Sequence, residues 1–192
     1  MRLDHLVYAA SNVDTDAQAL ATSLGVEPSP ILRYPDLGIE TRLVLMGTVP
    51  VEVAGVTDAR VAEHEPWTRW LQHWCKTEPG FTSWALQVDE IESTATRLGL
   101  PVRTAPSGSF STVGLDESFE TRYLPFFIHW TTQHPSTATN DLDVDEIFVQ
   151  GDARRLHEWA GDTADLPVTL EAGPGRIRGV RVRAAACVVD LT

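Results

Sequence analysis

Leu3-Asp4-His5-Leu6-Val7 opens a pattern that the chain states twice. This first stretch reads as a strand bearing His5, and Glu52 follows later in Val51-Glu52-Val53. A second strand, Ser83-Trp84-Ala85-Leu86, carries Trp84, and His129 follows it in Phe126-Phe127-Ile128-His129-Trp130. Three of those four positions hold residues able to bind a divalent metal. Side chains alternate across a strand, so Leu3, His5, Val7 and Ala9 are expected on one face and Asp4, Leu6 and Tyr8 on the other.

Asn12 is placed to cap a helix over 14–24, with Ala17, Leu20, Ala21 and Leu24 on one side and Gly25 at its end. Pro28, Pro30 and Pro35 break the next stretch into loop around a short edge strand. Residues 40–46 and 50–56 read as an antiparallel hairpin turning at Gly47. The order then restarts. Residues 82–88 form a strand, and 89–98 a helix opened by a capping box of Asp89 and Glu92. A short strand at 101–104, a polar Gly- and Ser-rich excursion at 108–118 and a strand at 123–130 complete the second unit. Strand, helix and about three strands therefore occur twice.

Between the units, Trp67, Trp70, Leu71 and Trp74 recur at helical spacing, a stripe that reads as core or as a contact between two copies. The tail predicts a strand at 146–150, a helix at 153–160 capped by Asp152, and a hairpin-like pair, 168–171 with 177–184. The chain thus divides into a first module (1–57), a helical connector (58–80), a second module (81–137) and an α/β extension (138–192) packed on the second module. Each unit leaves one sheet face needing cover, and pairing the units satisfies both, so the expected class is α+β with paired βαβββ modules forming a cupped sheet.

Composition narrows the function. Fifteen basic against 27 acidic residues give a net charge of -12, which offers nothing to offset phosphate repulsion and argues against nucleic acid. No apolar stretch approaches the roughly 18 residues of a membrane span. The two cysteines, Cys75 and Cys187, read as free thiols, and the strand pattern begins at residue 3 without a preceding leader, so a cytoplasmic protein is expected. A cupped pair of sheets encloses a cavity, which makes a small molecule the expected partner, with a homodimer as a further expectation.

Imidazole and carboxylate together suit Zn, Fe, Ni or Mn, and two histidines with one carboxylate leave positions open for substrate. His5, Glu52 and His129 would form that set if all three faced the cup. A histidine on an apolar strand face is commonly a hydrogen-bonded structural residue, so His5 and His129 need convergence to become ligands. Glu52 between two valines is costly to bury unless paired or coordinated.

These stretches resemble the glyoxalase-like domain proteins of the vicinal oxygen chelate superfamily. The likeness lies in Leu3-Asp4-His5, the strand Val51-Glu52-Val53-Ala54-Gly55-Val56, Trp84-Ala85-Leu86-Gln87-Val88-Asp89 ahead of a helix, and Leu124-Pro125-Phe126-Phe127-Ile128-His129-Trp130 followed by His134-Pro135. It covers residues 2–137, and the extension also looks like the family's. The resemblance implies metal ligands from the first and last strands of each module, which by position are His5, Glu52, Trp84 and His129. Trp84 cannot ligate, so orthodox methylglyoxal lyase activity is not expected. His129 stands where similar proteins carry Glu, which would make the set the two-histidine, one-carboxylate kind of extradiol dioxygenases.

The function so implied is a metal-dependent enzyme of lyase, isomerase or dioxygenase type, acting on a small oxygenated substrate chelated through vicinal oxygens. Trp84 would wall the pocket, while Tyr8, Arg33, Arg42, Arg122 and Tyr123 would orient polar groups. Glu52 and His134 are the candidate catalytic residues. The alternative is a metal-free protein that binds or sequesters a small molecule on the same fold, and a third reading is an interaction protein exposing the Trp67, Trp70, Trp74 helix.

Overall fold

A computed structural model describes residues 1–105, 107–132, 140–161, 163, 165–184 and 187–192. The first module runs β1 (Arg2–Ala9), α1 (Val13–Leu24), β2 (Leu32–Tyr34), β3 (Ile39–Met46) and β4 (Val49–Val56). The connector carries α2 (Ala59–Ala62) and α3 (Pro66–Thr77). The second module runs β5 (Gly80–Gln87), α4 (Ile91–Leu98), β6 (Arg103–Thr104), β7 (Phe110–Val113), α5 (Leu115–Thr121) and β8 (Phe126–Trp130). The extension adds β9 (Asp143–Gln150), α6 (Ala153–Ala160), β10 (Val168–Glu171), β11 (Arg176–Arg183) and β12 (Val188–Leu191).

The two modules share one eight-stranded sheet, ordered β2-β3-β4-β1-β5-β8-β7-β6. At its centre β1 and β5 pair antiparallel, and each lies parallel to the last strand of its own module, β4 and β8. The expected cupped pair of βαβββ units is therefore what the chain builds. Local chemistry explains the elements. Asn12 Oδ1 accepts from the Thr15 amide at 2.9 Å and starts α1. Gly47, at φ +66°, turns β3 into β4, and a Cβ there would lie 2.1 Å from the Leu142 carbonyl oxygen, so this turn needs glycine both for its backbone and for its neighbour.

Some details differ from expectation. No capping box forms at Asp89 and Glu92, because the N-cap falls one residue later, on Glu90, which makes no side-chain bond, and α4 starts at Ile91. The polar excursion becomes β7 and α5, and β8 begins only at Phe126, since Arg122 at φ +60° turns the chain after α5. In the extension, β10 and β11 do not pair with each other. Instead β9 lies between them, parallel to β10 and antiparallel to β11.

The sheet has a core on each face. On the convex face Leu6, Val51, Val53, Trp84, Leu86 and Phe127 meet α1, α4 and the inner residues of the extension's four-stranded sheet, among them Ile147, Val180 and Val182. Packing here reaches both modules. Gly47 donates to Asn140 Oδ1 at 2.6 Å on the first, and Trp159 Nε1 donates to the Pro125 carbonyl at 2.7 Å on the second. On the concave face Val7, Ala9, Ala85, Phe126 and Ile128 are covered by Leu71 of α3 and Phe119 of α5. No helix of the described residues is long and apolar enough to cross a membrane.

Candidate active site on the concave face

The site begins with an irregularity in β1. Its register against β5 shifts between Leu3, opposite Leu86, and His5, opposite Ala85. Asp4 is the extra residue of this β-bulge, and a bulge re-aims side chains. Leu3 therefore joins Leu6 and Tyr8 against the convex core, while His5, Val7 and Ala9 face the cup. Strict alternation had put Leu3 with His5, and the bulge overturns it. Asp4 is then close enough to meet His5: Asp4 Oδ1 lies 2.5 Å from His5 Nδ1, and the Asp4 side chain is 1% exposed. Trp130 Nε1 donates to Asp4 Oδ2 at 2.9 Å.

The other imidazole nitrogen looks into a cavity of about 210 Å³. Glu52 reaches the same wall because β4 pairs with β1 in a register that sets Glu52 beside Val7. Its Oε2 lies 3.9 Å from His5 Nε2, and its side chain is 29% exposed. Most of the remaining lining is apolar, including Trp67, Phe110, Phe119, Phe126 and Trp130, with Tyr34 and Leu32 at an edge strand. Tyr34 and Thr112 add hydroxyls to the lining.

Burial by itself would lower the His5 pKa, but the hydrogen bond to Asp4, with the charges of Asp4 and Glu52, outweighs it and raises the value above 6.5. Burial chiefly, with the Glu52 charge behind it, also raises Tyr34 above its ordinary value. A carboxylate on Nδ1 keeps a proton there, so a neutral His5 presents its lone pair at Nε2, toward the cavity. This is the orientation of a general base held by a buried acid.

The other expected site residues lie elsewhere. His129 is turned off the cup, because Phe126, Ile128 and Trp130 take the concave face of β8 and alternation leaves His129 on the other, its Nδ1 3.1 Å from the Val88 carbonyl. Trp84 is fully buried in the convex core with its indole N–H on the Tyr123 carbonyl, so it does not wall the cavity. Tyr8 and Tyr123 belong to that same core. Arg33 pairs with Glu40 on the edge strand, and Arg42 with Asp14 and the Ser29 carbonyl. Arg122 is buried over Trp74, bonded to Glu78 and the Phe81 carbonyl. His134 lies outside the described residues. Sequence reading missed Asp4, Trp130 and the aromatic wall. A carboxylate between Leu3 and Leu6 in a buried strand carries the same cost that drew attention to Glu52, and that signal marks Asp4.

Superfamily members commonly use divalent metals. The donor set here does not fit one. His5 Nε2 and Glu52 are two donors, while Ala85, Phe126 and Ile128 on the concave face of β5 and β8 offer none. Catalytic metal sites commonly take three protein ligands, and no group of three His, Cys, Asp or Glu able to hold an ion occurs among the described residues.

The cupped sheet of paired modules places the protein in the vicinal oxygen chelate superfamily. Within it, a family model described as a glyoxalase-like domain matches residues 3–166, and the chain belongs to that family. Among solved structures, a hypothetical protein from Staphylococcus aureus is 12% identical with a TM-score of 0.61, covering 96% of this chain and 81% of the other. A Streptomyces coelicolor methylmalonyl-CoA epimerase variant bound to 2-nitronate-propionyl-CoA is 16% identical with a TM-score of 0.50, covering 69% of this chain and 99% of the other. At those identities the likeness is one of fold. No curated protein matches the chain.

Proposed function

We propose that this chain is a glyoxalase-like enzyme that transfers a proton on a small, largely apolar substrate held in the concave cavity. One observation carries the reading: a buried imidazole held at Nδ1 by Asp4 presents Nε2 to an apolar cavity, with Glu52 3.9 Å away. Asp4 fixes the tautomer and steadies the imidazolium once His5 takes a proton. Glu52 lowers the energy of the same cation from the other side. Trp130 holds the far oxygen of Asp4 and keeps the pair aligned. The aromatic wall excludes water and positions the substrate body, which strengthens every charge interaction inside. His5 and Glu52 are two donors, one short of the set a catalytic metal commonly takes.

A second reading, binding without turnover, draws support from how few polar groups the wall carries. The two separate in one experiment. Acetophenone, 2-hydroxyacetophenone and 2-aminoacetophenone, each with hydrogens next to a carbonyl, are incubated with the protein in D2O and followed by proton NMR. Enzyme-dependent exchange is expected with at least one, falling about 100-fold or more in His5→Asn. Equal rates in wild type and variant for all three compounds would overturn the enzymatic reading.

A further inference from the structure

The cavity's charge is one-sided. Its acidic groups are Glu52 on the wall and Asp4 behind His5. Neither Lys nor Arg is among the described residues that line it. The nearby arginines are engaged elsewhere: Arg33 alternates away from Leu32 and Tyr34 and pairs with Glu40, Arg103 pairs with Glu65 and Asp116, and Arg122 with Glu78. With His5 protonated, the three groups carry one net negative charge, and with His5 neutral they carry two. In either state an anionic substrate group would meet unbalanced carboxylate.

The walls are of one kind too. Tyr34, Trp67, Phe110, Phe119, Phe126 and Trp130 surround the space in front of Glu52. Aromatic rings carry negative faces that attract a cation, and Trp does so best. An aromatic enclosure closed at one end by a carboxylate is chemistry suited to an organic ammonium. The chain's charge of -12 adds a field that draws cations in.

We propose that the ligand of this cavity is an apolar molecule bearing a cationic nitrogen, its body among the aromatic side chains and its charge toward Glu52. This rests on the reading of the cavity as the substrate site and narrows it to a substrate class. Phosphate-bearing and free carboxylate ligands are disfavoured by the same groups.

The test uses one body with three charges. Wild-type protein at pH 7 is titrated with 2-phenylethylammonium, 2-phenylethanol and phenylacetate, following tryptophan fluorescence, because Trp67 and Trp130 line the cavity. The ammonium is expected to bind about tenfold or more tighter than the alcohol, with phenylacetate weakest. Glu52→Gln should erase the ammonium's advantage and leave the alcohol unchanged. If the alcohol or phenylacetate binds as well as the ammonium, the charge inference falls while the cavity stands as a binding site. If none of the three binds, both fall.

Discussion

Asp4 and His5 are the residues on which the site turns. Asp4 spends its two oxygens on His5 and Trp130, and the cost of burying a carboxylate is met by those bonds. Replacing Asp4 with Asn removes the charge and leaves burial opposed only by Glu52, so the His5 pKa should fall below its wild-type value. Titration of the imidazole signals by NMR checks this, and an unchanged value would mean that Asp4 does not set the charge. Stability follows the same linkage. A folded-state pKa raised above 6.5 means that protonated His5 stabilises the fold; that contribution is whole below about pH 6.5 and fades as pH rises through the raised value. Asp4→Asn should flatten this decline in urea unfolding measured across that window.

At the scale of elements, the central pair β1 and β5 divides structural from chemical work by the side of the sheet each residue takes. Trp84 and Ala85 are sequence neighbours, yet one is convex core and the other floors the cup. Trp84→Ala should therefore cost about 3–5 kcal/mol in stability, as large-to-small changes in cores do. Denaturant unfolding checks the cost. In protein that remains folded, the affinity of the cavity for 2-phenylethylammonium should be unchanged, because the indole lies behind the sheet. A loss of affinity without loss of stability would put Trp84 back in the pocket. The bulge at Asp4 works in the opposite sense, bringing two adjacent polar side chains together where a regular strand would separate them.

At the scale of the molecule, the extension completes the convex core. Its strands bury Val144, Ile147, Val149, Val180 and Val182 against the modules, and Asn140 and Trp159 bond to the first and second module respectively. Removing residues 133–192 would strip cover from Trp84, Leu86 and Phe127 and expose a broad apolar sheet face. Protein ending at Thr132 is expected to aggregate, read as loss from the soluble fraction and confirmed by light scattering. A soluble, monomeric truncation with a cooperative melt would show that the modules need no cover.

The twofold strand–helix–strand order, the Asn12 cap, the Gly47 turn and the presence of a costly carboxylate at Glu52 were legible in the sequence, because they depend on residues near one another in the chain. Periodicity and capping are local physics. The metal set was not decidable there. His129 differs from a cavity-lining residue by one position, and in a strand one position is the other face of the sheet. Strand parity is fixed by pairing with distant neighbours: β8 against β5 for His129, β4 against β1 for Glu52. The bulge that gives His5 its acid partner is likewise a property of two paired strands, not of either alone. Sequence alone determined the repeated modules and named two of the right residues. The face each side chain takes, and with it a centre of Asp4, His5 and Glu52, follows from strand pairing across the fold.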